Sequence, residues 1–138
     1  MVIRAIFEGE TLKNKIEKLK DLSNPLKKIA IHLQSESQKT FERNTGRVTP
    51  WPDLSEKTKK RKIRAKGTAY PILVFHGRLR ASITHEVSEN TAEVYAGVHY
   101  GPYHQYGTSR IPTRPFLEID ESTDVPFAIQ QILEHLRS

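Results

Sequence analysis

Two proline-bearing stretches limit what this chain can fold into. Residues 46–54 (Gly-Arg-Val-Thr-Pro-Trp-Pro-Asp-Leu) hold a glycine and two prolines, and Ile111-Pro-Thr-Arg-Pro-Phe-Leu117 holds two more prolines. Proline fixes φ and has no N–H to donate, so neither stretch is helix interior or central strand. Regular structure is confined to the segments around them. Val2 to Glu8 alternates, with Ile3, Ala5 and Phe7 on one face, and reads as a first strand. Glu10 to Leu22 places Leu12, Ile16 and Leu19 at helical spacing among lysines, the pattern of an amphipathic surface helix. Asn24-Pro25 reads as a cap and first helical position. From there Leu26, Ile29, Ala30, Leu33, Ser37 and Phe41 form a stripe at intervals of three and four, stopped by Thr45-Gly46. Such a helix is about 30 Å long at about 1.5 Å per residue.

After the first proline stretch, Ser55 caps a short helix through Lys66, ended by Gly67. Ile72 to Phe75 is an apolar run. Ile83–Val87 and Ala92–Val98 read as paired strands joined at Glu89-Asn90. Tyr100 to Gly107 reads as an aromatic, glycine-bearing loop. Asp124 is a candidate cap for a last helix, with Pro126 in its first turn and Ile129, Ile132, Leu133 and Leu136 as its buried face. This order predicts one α+β domain over 1–138: a small, mainly antiparallel sheet packed with two N-terminal helices and a C-terminal helix.

Charge is distributed unevenly. The 22 basic and 16 acidic residues give a net charge of +6. By region the net is +3 over 1–46, +8 over 47–80 and −5 over 81–138. A basic middle and an acidic final third suit either a polyanion or head-to-tail contact between copies of the chain. The basic run Lys57, Lys59, Lys60, Arg61, Lys62, Arg64 and Lys66 is a candidate contact to phosphate or to a neighbouring subunit. It lacks interleaved aromatics for base stacking, and its like charges predict mobility over 56–70 without a partner. With no cysteine, thiol catalysis and thiolate metal sites are excluded. His99 and His104 lie five apart, which is not same-face helical ligand spacing, and no carboxylate falls within 100–110. No serine sits in a nucleophile elbow. The expectation is therefore no catalytic residue, no metal and no cofactor. The opening residues read as neither a secretory signal nor a membrane span.

Single residues admit packing and interface readings. His32 reads as partly buried packing. Trp51, between Pro50 and Pro52, is an anchor to the core or an interface contact, the former preferred. Arg114 is held extended by flanking prolines and suits a carboxylate partner, within the chain or on a neighbour. His104, between Tyr103 and Tyr106, suits local or interface packing. The carboxylates Glu118, Asp120, Glu121 and Asp124 read as capping or surface groups.

Three groups of residues in order carry a family resemblance. The first is Phe41, Gly46, Trp51-Pro-Asp-Leu-Ser55 and Thr58. The second is Ile72-Leu73 with Gly77-x-Leu79-x-x-Ser82-Ile83. The third is Tyr103-His-Gln-Tyr-Gly107 followed by the 111–117 stretch. Together they resemble the phage virion morphogenesis family, the tail-completion proteins of contractile-tailed phages and prophages. Thr45-Gly46 departs from the pattern, which has a proline ahead of the glycine. The resemblance implies a non-enzymatic assembly protein that completes the tail and allows head–tail joining, working as a ring of identical copies. Its partners would be other tail and head–tail connector proteins, with non-specific DNA contact in a lumen and no membrane. It would assemble in the bacterial host cytoplasm and end in the virion tail or head–tail junction. The resemblance points to Trp51, Leu79, Tyr103, His104, Gln105, Gly107, Arg114 and Phe116 as structural or interface determinants. In that reading the Tyr103–Gly107 loop and the 112–116 segment form a rigid docking edge. A basic nucleic-acid-binding protein using Lys57–Lys66 is the alternative.

Overall fold

One long helix organises the molecule. The computed structural model describes residues 9–74 and 77–138. Its elements are α1 (Gly9–Lys20), α2 (Ser23–Arg43), α3 (Glu56–Lys66), α4 (Arg78–Ala81), β1 (Ile83–Ser88), β2 (Thr91–Ala96), α5 (Gly101–Tyr106) and α6 (Glu121–Arg137). The fold is α+β with a small antiparallel sheet, as expected. The expected strand at Val2–Glu8, and Phe75 at the end of the apolar run, lie outside the described residues.

The α2 stripe is buried as its spacing predicts: Leu26, Ala30, Leu33, Ser37, Thr40 and Phe41 all turn inward. One side of α2 packs on the hairpin and another on α6, while α1 rests on α6. The hairpin register pairs Ile83 with Ala96, His85 with Val94 and Val87 with Ala92. These six residues face inward, and the alternate pairs, Thr84 with Tyr95 and Glu86 with Glu93, face outward. Phe41, Trp51, Ile72, Leu79, Ile83 and Phe116 make one core cluster. Phe41 is its hub, with Trp51 edge-on and Phe116 tilted, both at 5.9 Å between ring centroids.

Several boundaries differ from the sequence reading, each for a local reason. Helix α2 begins at Ser23, because the Asp21 carboxylate accepts from the Ser23 N–H (3.2 Å) and Oγ (2.7 Å). Pro25 therefore falls inside the first turn, where a missing N–H costs nothing. The helix stops at Asn44, in the left-handed region at φ 57°, ahead of Thr45-Gly46. The Asn44 side chain then accepts from the Ile72 N–H at 2.7 Å, tying the helix end to the core. The 101–106 stretch, expected as a loop, is a short helix with Pro102 in its first turn.

Helix α6 is capped by Asp120, not Asp124: the Asp120 carboxylate accepts from the Ser122 N–H at 3.1 Å. Asp124 lies one turn inside, buried, and Pro126 follows in the second turn. Of the helix's expected buried face, Ile132 and Leu136 are half-buried and Ile129 and Leu133 are exposed. Asp124 turns inward, whereas Val125, Ile129 and Leu133 are 46%, 53% and 42% exposed.

Candidate interaction surface

The two proline-bearing stretches form arches that clasp each other. Proline and extended backbone leave carbonyls and N–H groups without regular partners, and buried ones must be satisfied by side chains. Trp51 Nε1 donates to the Pro115 carbonyl at 2.6 Å. Arg114 is buried, donating from Nε to the Pro52 carbonyl (2.8 Å) and from Nη2 to the Asp53 carbonyl (2.7 Å). Its partners are backbone carbonyls of its own chain, not the carboxylate expected from the sequence. Gln105 acts as a surrogate strand. Its Oε1 accepts from the Phe116 and Leu117 N–H groups, both at 3.0 Å, and its Nε2 donates to the Leu117 carbonyl at 2.8 Å. An amide carries both donor and acceptor, which is why glutamine suits this position. Glu118 closes the arches by accepting from the Val48 and Thr49 N–H groups and from the Thr49 hydroxyl.

Gly107 ends α5 at φ 74°, ψ 169°, a region essentially restricted to glycine. A Cβ there would sit 2.5 Å from Thr113 Oγ1. Leu79 and Phe116 fill the core beneath the arches. Trp51, Leu79, Gln105, Gly107, Arg114 and Phe116 thus all make contacts within the subunit, Trp51 as part of the core cluster. Tyr103 and Tyr106 point out to solvent, Tyr106 with 77% of its surface exposed. Trp51→Phe tests the clasp. It keeps an aromatic ring against Phe41 but leaves the Pro115 carbonyl without its donor. The expected cost is about 1–3 kcal/mol, read as a lowered urea midpoint at unchanged m.

The basic run does not act as one patch. Lys62 is buried and donates to the Pro71 carbonyl at 2.7 Å. Burial, then the charges of Arg114 and Arg61, pull its ammonium below the usual lysine range. Lys59 pairs with Asp53 at 2.8 Å and with Glu56 at 3.3 Å. With Tyr70 also donating to it, the Asp53 carboxyl is held down at about 2. Lys57, Lys60, Arg61, Arg64 and Lys66 remain on the exposed side of α3. The mobility expected for 56–70 rested on seven mutually repelling cations. Lys59 and Lys62 have partners within the chain, and Ser55 caps the helix by accepting from the Thr58 N–H.

Between α3 and α5 lies a groove of about 860 Å³. Leu54, Leu73, Val74, Leu79 and Ile111 give it an apolar floor, and Arg61, Lys62, Arg78, Arg110 and Arg114 give it positive charge. Its one lining carboxylate, Asp53, is already engaged. His104 also lines it. The His104 Nδ1 is buried without a hydrogen-bond partner among the described residues, and burial followed by the Arg114 charge lowers its pKa. His99 and His104 each meet Tyr100 edge-on. No group of three metal-ligating side chains occurs among the described residues.

A second charged centre was not anticipated. Asp124 receives Arg47 through Nη1 (2.5 Å) and Nη2 (2.7 Å), His32 Nε2 at 2.8 Å and the Asp120 N–H at 2.9 Å. His32 stacks on Phe127 at 4.1 Å, so its expected packing role is joined by a polar one. Burial raises the Asp124 pKa, but the bonds from Arg47, His32 and Asp120 outweigh it and hold the carboxyl below its ordinary value. One signal was present in the sequence. Stepping back one turn from Ala128, on the inward side of α6, reaches Asp124.

Comparison with known proteins identifies the family. The family model for the phage virion morphogenesis family matches residues 9–137. The chain is 33% identical over 122 residues to Mu-like prophage FluMu G protein 1 of Haemophilus influenzae, covering 85% of this chain and 84% of that protein. No solved structure matches it. The ordered motifs that build the two arches and the match across nearly the whole chain agree: this protein belongs to the phage virion morphogenesis family.

Proposed function

We propose that this chain is a structural, non-enzymatic subunit that completes a phage tail and fits it to join the head, acting as a ring of identical copies. It would assemble in the host cell and remain at the tail or head–tail junction. The observation that supports this reading most is the unfinished burial on α6. Val125, Ile129 and Leu133 leave an apolar stripe along successive turns of a family member's surface. Contiguous exposed apolar surface marks interaction sites. No described helix is long and apolar enough to cross a membrane.

Sedimentation velocity across a concentration series, alone and with purified tails lacking this protein, tests the reading. Discrete oligomers, or saturable binding to the tail end, are expected. A chain that stays monomeric and ignores tails overturns it. The phosphate-contact reading retains the outward cations of α3, and Lys57→Glu/Lys60→Glu/Arg64→Glu separates it from subunit contact. If these residues face DNA in a lumen, the variant assembles normally but loses salt-dependent retention of duplex DNA. If they hold a neighbour, oligomers are lost.

A further inference from the structure

The groove and the hairpin carry complementary, unspent chemistry. The Arg78 and Arg110 side chains line the groove, are exposed, and make no hydrogen bond or ion pair with a described residue. The hairpin offers the opposite. Its residues 83–96 include Glu86, Glu89 and Glu93 and no lysine or arginine. None of these three carboxylates has a hydrogen bond or ion pair with a described residue. Elsewhere most described carboxylates are engaged, as in Glu36 with Lys39, Glu42 with Arg80, Asp53 with Lys59 and Asp124 with Arg47. Glu86 and Glu93 are moreover directly opposite across the strands on the outward face. Like charges so placed destabilise a hairpin, so the isolated subunit carries a cost that a cationic partner would relieve. Tyr95, 43% exposed, shares that face. Tyrosine and arginine are the residues enriched in interface centres, and an aromatic anchor suits the apolar floor formed by Leu54, Leu73, Val74, Leu79 and Ile111.

We propose that the outward face of the β1–β2 hairpin of one copy, with Glu86, Glu93 and Tyr95, docks into the α3–α5 groove of the next copy against Arg78 and Arg110. This rests on the ring reading above and names its contact. The two patches differ, so the contact is heterologous and closes into a ring or runs on as a filament according to its rotation. The apolar floor favours a protein occupant over a phosphate backbone, which offers no aliphatic surface to cover it.

Charge exchange tests the contact on exposed positions. Arg78→Glu/Arg110→Glu and Glu86→Lys/Glu93→Lys should each abolish the oligomer while keeping the wild-type circular dichroism. Mixing the two variants should restore it, because each groove then meets a hairpin of opposite sign. Either variant assembling like wild type overturns the contact but leaves the ring intact. A groove variant that keeps its oligomer and loses duplex DNA overturns it in favour of nucleic acid. Disulfide trapping tests the contact whether or not the free protein assembles, since the chain has no cysteine of its own. A concentrated mixture of Glu93→Cys and Arg110→Cys chains should give several times more cross-linked dimer than Glu93→Cys with Lys27→Cys on α2. Equal yields overturn the contact. A wild-type chain monomeric even on tails overturns the ring, whatever the trapping shows.

Discussion

Asp124→Ala is expected to destabilise the fold by about 3–5 kcal/mol, because it removes the carboxylate that two Arg47 nitrogens contact and leaves the buried guanidinium, among carboxylates, only the longer approach to Glu36 at 4.0 Å. The Arg47 side chain is only 5% exposed, and two of its nitrogens point at Asp124. The same change removes the acceptor for His32 and for the Asp120 N–H, so three elements lose their common tie. Replacing both partners, as Arg47→Met/Asp124→Leu, should recover much of the loss, since no unpaired charge is left behind. Urea denaturation of the two single variants and the double variant gives the coupling directly. Acid should reveal the same centre. The folded carboxyl titrates below its ordinary value of 3.8. Its contribution is therefore complete above that value and disappears as pH falls through the folded pKa. Asp124→Asn should flatten the acid limb of stability against pH. An unchanged limb would mean that other carboxylates set it.

Phe116→Ala should cost a similar amount, about 3–5 kcal/mol, by opening a cavity at the centre of the core. The ring is 1% exposed and packs on Phe41 at 5.9 Å. Gly101 lies against it: a Cβ there would come 3.7 Å from the Phe116 ring. Phe116→Leu leaves a smaller hole and should cost less. Thermal unfolding of both variants checks the order, and near-equal losses would show that the site relaxes freely.

Periodicity made α2 and the hairpin legible, because each buries one face and a single face dictates the spacing of its apolar residues. Leu26, Ala30, Leu33 and Phe41 are where a 3.6-residue repeat puts them. Helix α6 is legible only in part, because its apolar residues exceed what its neighbours cover: Ile132 and Leu136 are half-buried as their spacing implies. Ile129 and Leu133 look like core in sequence but face solvent in one subunit. Asp124 was misread for a related reason: a carboxylate near a helix start is usually a cap, and only Arg47, 77 residues away, makes it a buried one. The motif residues were found by their order, but their roles were not visible. Nothing local in Gln105 says that its amide completes a ladder with Phe116 and Leu117, because tertiary pairing assigns that role. The groove escaped notice because its two sides come from 52–79 and 100–114, and only folding brings them together.

The clasp also orders events during synthesis. Trp51, Pro52 and Asp53 wait for Arg114 and Pro115, partners 61–64 residues downstream. Loop closure over such separations precedes any reward from the contacts, so this part of the core forms late. A nascent chain stopped before Gln105 has no Phe116 to fill the centre and no second wall for the groove. Such a chain therefore lacks part of the core cluster as well as that wall, and only the full polypeptide carries both halves of the surface proposed to join copies.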